Sequence, residues 1–130
     1  MTFEKLGISE DITKILRSNG IKTPTEIQEK SIKDILYGRD IIAEAHTGTG
    51  KTLAFLLPVF ENINQTSKNI ECLIISPTRE LAIQITEEAA LNMSKFIEEK
   101  GINLIIDPDI EEKIISCDET EIERCIVNDI

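Results

Sequence analysis

Residues 45–52 read Ala45-His46-Thr47-Gly48-Thr49-Gly50-Lys51-Thr52, a loop of two glycines, a lysine and hydroxyl residues set between two apolar stretches. Upstream, residues 40–45 (DIIAEA) make a short apolar run bounded by Gly38 and the loop, the pattern of a buried parallel strand. Downstream, TLAFLLPVFENI is apolar nearly all round and predicts a helix, which Pro58 should bend. Strand, glycine-rich loop and helix in that order are the setting a phosphate-binding loop requires. Glycines let successive backbone N–H groups turn toward one anion, and a helix N-terminus adds partial positive charge. Lys51 supplies a full charge for β- and γ-phosphates, and the Thr52 hydroxyl is placed to ligand a Mg²⁺ that bridges them. The strict form of this pattern begins with glycine, where this chain has Ala45. The plainer alternative is a glycine-rich turn with an incidental lysine. His46 reads as a loop residue rather than a catalyst.

Toward the N-terminus, Ser9 followed by Glu10 and Asp11 predicts a helix start, with a capping hydroxyl and negative charge at the positive end of the dipole. Ile12, Ile15 and Leu16 supply an apolar stripe, and Gly20 is a suitable stop. Thr25 with Gln28 three residues on forms a capping-box pattern, and the helix it opens should end at Gly38. Toward the C-terminus, residues 62–69 are polar and turn-rich, a surface loop. Residues 71–76 (ECLIIS) predict a second buried strand, with Cys72 as a small core residue. Thr78 can cap the next helix, in which Leu81, Ile85, Ala89, Met93 and Phe96 share a face as far as Lys100. Two more apolar runs follow, at 102–106 and 113–117, and residues 119–130 read as a short acidic helix. This alternation predicts an α/β fold: a short parallel sheet flanked by helices, with right-handed crossovers and an α+β segment at the end.

The 130 residues suffice for one compact domain, with apolar and charged fractions normal for a folded chain (41% and 29%). There is no long apolar run and no basic start followed by an apolar core, so neither a membrane partner nor a secretory signal is expected; the expected setting is cytoplasmic. Cys72, Cys117 and Cys125 show no metal-ligand spacing with His46 and fit reduced thiols. A net charge of −10 argues against a strong grip on nucleic acid. It is unevenly spread: residues 1–88 hold 10 basic and 13 acidic side chains, residues 89–130 hold 4 and 11.

Three ordered stretches carry a family resemblance over residues 1–88. AHTGTGKT resembles motif I of DEAD-box RNA helicases; residues 20–28 (GIKTPTEIQ), with Phe3 upstream, resemble the Q motif; residues 77–82 (PTRELA) are similar to motif Ia. The resemblance implies a RecA-like fold and binding of ATP or ADP with Mg²⁺ through Ala45, Thr47, Gly48, Thr49, Gly50, Lys51 and Thr52, with Lys51 and Thr52 as the catalytic pair. It further implies that Gln28 reads the adenine edge and Phe3 stacks on the base, selecting ATP over GTP. Gln28 reads also as the capping partner of Thr25, and both roles can hold at once. Motif Ia would set Thr78 and Arg79 against an RNA backbone phosphate; they read equally as a helix cap and a surface charge, and on so acidic a chain any RNA binding should be weak.

The departures bear on activity. No DEAD or SAT sequence occurs in the chain, and phosphoryl transfer depends on positioned metal, water and charge. The expectation is nucleotide binding without efficient hydrolysis or unwinding. Residues 89–130 resemble instead the opening of a sensor histidine kinase ATP-binding domain, on Asp118, Ile122, Arg124 and Asn128; the alternative is an acidic helix with a solvated face. Together the two resemblances imply a fusion joined near Thr86 to Leu91. The competing readings are an acidic, non-enzymatic interaction module and a non-functional product that folds poorly.

Overall fold

The computed structural model describes residues 1–48, 50–64 and 66–99. A single 3₁₀ turn, Glu4–Leu6, leads into four helices: α1 (Glu10–Ser18), α2 (Glu26–Leu36), α3 (Lys51–Asn62) and α4 (Arg79–Glu99). Their ends follow from local chemistry. Both α1 and α2 stop in a left-handed glycine: Gly20 (φ +83°) donates to the Arg17 carbonyl and Ile21 to that of Leu16, while Gly38 (φ +74°) and Arg39 repeat the pattern on Ile35 and Asp34. These paired bonds satisfy carbonyls the helix itself leaves orphaned. At the start of α2, the Thr25 N–H donates to Gln28 Oε1 at 2.9 Å, the expected capping box. At α4, Thr78 Oγ1 accepts from the Leu81 N–H at 3.2 Å, the expected cap. Ser9 differs from expectation. Its hydroxyl caps nothing; its backbone N–H is held by Glu61 Oε1 at 2.6 Å, so α1 is tied to the far end of α3.

One apolar cluster joins these pieces. Ile12, Ile15 and Leu16 of α1 meet Ile32 of α2, Leu53 and Leu57 of α3, and Met93, Phe96 and Ile97 of α4, with Phe3, Leu6 and Ile8 closing the N-terminal side. Phe60 and Phe96 meet edge to face, with ring centroids 5.7 Å apart. Pro58 lies buried inside α3, where its missing N–H leaves the Ala54 carbonyl without its usual intrahelical donor. Full burial in α4 is confined to its last two turns, at Asn92, Met93, Phe96 and Ile97, while Ile85 and Ala89 are half-buried. Along the expected stripe burial rises toward the C-terminus: Leu81 is exposed, Ile85 and Ala89 are half-buried, and Met93 and Phe96 are buried.

The two expected strands are not formed among the described residues. Residues 40–45 and 71–76 carry no strand pairing, and Ile42, Leu73, Ile74 and Ile75 stand exposed. Cys72, expected in the core, is exposed with them. A helix satisfies its backbone within its own segment, whereas a parallel strand depends on a neighbour for every hydrogen bond. The expected features at 102–106, 113–117 and 119–130, with Lys100, Asp118, Ile122, Arg124 and Asn128, lie outside the described residues.

Candidate phosphate-binding site

The loop before α3 is shaped by two glycines in the left-handed region, Gly48 (φ +82°) and Gly50 (φ +84°). Gly50 is the residue at which the chain enters α3, and the first turn of that helix has no side-chain cap and no acidic residue. The other three α-helices each place an acidic side chain in their first turn. The α3 N-terminus thus keeps its positive end uncompensated, with Lys51, an exposed cation, as its first residue. Lys51 Nζ donates to the Ala45 carbonyl at 2.5 Å, closing the loop on itself from its last residues to its first. Thr52 follows, half-buried; Thr47 and Gly48 are exposed, and Thr49 lies outside the described residues.

Gln28 reaches this loop from α2. It is only 2% exposed, and both ends of its amide are used: Oε1 accepts from the Thr25 N–H and Nε2 donates to the Gly50 carbonyl at 3.0 Å. The same carbonyl accepts the first intrahelical bond from Ala54 N–H at 3.1 Å. The approach is close enough to dictate glycine, since a Cβ at position 50 would fall 2.4 Å from Gln28 Nε2. This contact was not visible in the sequence, where Gln28 and Gly50 stand 22 positions apart.

The remaining expected residues divide. Phe3, expected to stack on a base, is fully buried in the apolar cluster and has no surface to offer in this conformation. Thr78 spends its hydroxyl on the α4 cap, and Arg79 begins that helix, exposed. A cleft of about 530 Å³ opens between the start of α2 and the start of the loop, lined by Thr25, Glu26, Ile27, Lys30, Glu44, Ala45 and His46. A 2.5 Å hydrogen bond from Lys30 holds the Glu26 carboxyl below the usual carboxylate range, so it stays charged at neutral pH. With Lys30 paired to Glu26 and Glu44 beside them, the cleft offers a phosphate no unpaired lysine, whereas the α3 N-terminus offers Lys51 and an uncapped helix start. A left-handed loop, an uncapped helix start and a lysine fit a nucleotide polyphosphate, and Thr52 fits a Mg²⁺ carried with it.

Comparison with known proteins agrees with this arrangement. A family model described as DEAD/DEAH box helicase matches residues 25–122, a span that crosses the join expected near residues 86–91; α4 also runs through it unbroken. The ATP-dependent RNA helicase CshA of Limosilactobacillus reuteri is 50% identical over 88 residues, covering 68% of this chain and 18% of that protein. The ATP-dependent RNA helicase DHH1 of Chaetomium globosum is 42% identical over 106 residues, covering 82% of this chain and 20% of its own. Among solved structures, a DEAD box protein from the hyperthermophile Methanococcus jannaschii superposes with a TM-score of 0.65 at 41% identity, covering 71% of this chain and 25% of that one. The chain therefore spans about a fifth of the length of the curated relatives it matches. With a family match over most of its length, the chain belongs to the DEAD/DEAH box helicase family.

Proposed function

We propose that these residues bind ATP or ADP with Mg²⁺, and that this 130-residue segment does not by itself hydrolyse ATP or unwind RNA efficiently. The observation that carries the reading is the α3 N-terminus: uncapped, free of acidic residues, preceded by left-handed Gly48 and Gly50, and headed by Lys51. In this reading the loop N–H groups and Lys51 hold the β- and γ-phosphates, once Lys51 leaves the Ala45 carbonyl. The Thr52 hydroxyl ligands the Mg²⁺, which would supply charge neutralisation across the phosphates. Gln28, buried with both ends of its amide engaged, and Phe3, buried in the apolar cluster, reach an adenine only if their surroundings open. Thr78 and Arg79 are assigned a weak contact to an RNA phosphate. The division into a nucleotide-binding part (1–88) and an acidic part (89–130) belongs to the same proposal and rests on the charge distribution.

The test is a titration of the chain with fluorescent ADP and Mg²⁺. Saturable binding is expected. Lys51→Ala should weaken it by roughly 30- to 150-fold, the loss of one charge-assisted contact of about 2–3 kcal/mol. Binding that ignores Lys51→Ala would sink the proposal. A second reading, an acidic interaction module, is favoured by exposed Ile42, Leu73 and Ile75. Its mark would be capture of a protein partner unchanged by Lys51→Ala.

A further inference from the structure

We propose that a cleft at the C-terminal ends of α2 and α3 is a docking site for an acidic peptide segment of a partner protein, one with carboxylates on either side of an apolar side chain. The cleft encloses about 510 Å³ between the 3₁₀ turn, the last turn of α2 and the last turn of α3. It is separate from the phosphate loop, which opens the other end of α3: Lys51 and Glu61 lie about 15 Å apart along that helix.

The charges around this cleft are unequally committed. The Glu4 carboxylate pairs with Arg17, and Glu61 Oε1 accepts from the Ser9 N–H at 2.6 Å. Asp34 pairs with Arg39 at 2.8 Å. Lys5 and Lys33, both exposed in the cleft lining, have no ion-pair partner among the described residues. Lys5, Arg17, Lys33 and Arg39 thus outnumber Glu4, Asp34 and Glu61 locally, on a chain whose net charge is −10. Tyr37 stands at the rim, 69% exposed, with the Arg39 guanidinium 5.5 Å from its ring centroid. Between these groups the lining is apolar, from buried Leu6 and half-buried Leu36.

The walls are also held in place. A Cβ at Gly7 would fall 3.0 Å from Leu36 Cδ1, so the 3₁₀ turn approaches α2 about as closely as a glycine allows. The bond from Ser9 to Glu61 ties the same segment to α3. A cleft fixed from three sides needs little ordering when a ligand enters. Two free lysines around an apolar lining match a short acidic peptide better than a nucleic acid strand. A strand carries its phosphates onward over the acidic remainder of the chain, where they are repelled, whereas a short peptide ends within the patch. A second copy, itself at −10, is disfavoured by repulsion between the two chains.

The test is a titration of the full 130-residue chain with a fluorescent hexapeptide of alternating aspartate and leucine, read by anisotropy. An asparagine–leucine hexapeptide and hexauridylate serve as companion probes. The acidic peptide should bind saturably and more weakly in salt, and the asparagine peptide should not bind. Lys5→Gln and Lys33→Gln should each weaken binding by roughly 2- to 5-fold, and the double variant by roughly 4- to 25-fold, each lysine supplying one exposed ion pair. The Lys5 effect should be the larger, because Lys33 lies in the last turn of α2, whose negative end offsets part of its charge. Lys22→Gln, before the opposite end of α2, should leave binding unchanged, and all these surface variants should keep the wild-type melting temperature. Peptide binding that ignores the double variant, or no binding of the acidic peptide at millimolar concentration, would overturn the proposal. Hexauridylate bound more tightly than the peptide, with the same dependence on Lys5 and Lys33, would also overturn it and assign the cleft to single-stranded nucleic acid.

Discussion

The helices of this chain and its apolar runs at 40–45 and 71–76 both carry large apolar side chains, with opposite fates. Leu57, Ile32 and Leu16 are fully buried in the apolar cluster, while Ile42, Leu73 and Ile75 are 60–81% exposed. Apolar content is thus not what separates the two regions. A helix needs only its own backbone and one neighbouring face: α2 and α3 find those faces in each other, and α1 finds its face in α4. Residues 40–45 and 71–76 would need each other or a third strand. The helices nevertheless leave a place for them. Ile27, Ser31 and Ile35 of α2 and Ala54 and Phe55 of α3 line a cleft of about 300 Å³ against Ile41 and Ala43, the face on which a sheet would lie. The phosphate loop sits on the border of the two regions and is anchored from the helical side, through Gln28.

The sharpest way to break this contrast is to cut into both regions. Leu57→Ala should cost about 2–5 kcal/mol and abolish a cooperative thermal transition, because it empties the centre of the cluster. Ile74→Ser should move stability by less than about 0.5 kcal/mol and reduce aggregation on sedimentation. Equal destabilisation by the two would mean the apolar runs are packed in solution. A smaller effect separates the two loop glycines. Both have φ near +83°, but a Cβ at Gly48 meets nothing within 4 Å while one at Gly50 meets Gln28. Gly48→Ala should cost about 1–2 kcal/mol for the left-handed backbone alone. Gly50→Ala should cost more and also weaken Mg·ADP, both read by melting with and without ligand.

The smallest effect concerns α2. Its Glu26 carboxyl is held below the ordinary carboxylate range by a hydrogen bond from Lys30, with their charge attraction adding to it. The pair therefore favours the folded state above the unfolded carboxyl's value, about 4.3, and that contribution is lost as pH falls through the lower folded value. On acid titration followed by circular dichroism, Glu26→Gln should remove a slight part of the helix loss below about pH 4.3. Both groups are exposed, so the difference should be slight.

Most of the helical half was legible in the sequence because its signals are local. Gly20 and Gly38 stop α1 and α2, Thr25 with Gln28 opens α2, and Thr78 caps α4. Each is decided by residues within a few positions of one another. Long-range facts were not legible. Nothing near Ser9 announces that Glu61 will hold its N–H, and nothing near Leu81 says that it will stand exposed while Met93 and Phe96 are buried. The short apolar runs at 40–45 and 71–76 read as buried strands, but strand is a property of a pair. At the site, the loop was legible as a motif, and its geometry supplied the rest: the closed Lys51 to Ala45 contact, the brace from Gln28, and the burial of Phe3.

The most direct test is to follow backbone amide resonances while Mg·ADP is added. Gly48, Gly50, Lys51 and Thr52 should shift saturably, with the Gln28 side-chain amide moving at the same midpoint and residues 71–76 unchanged. Saturable shifts confined to other residues, or none at the loop, would contradict a phosphate site formed at the start of α3.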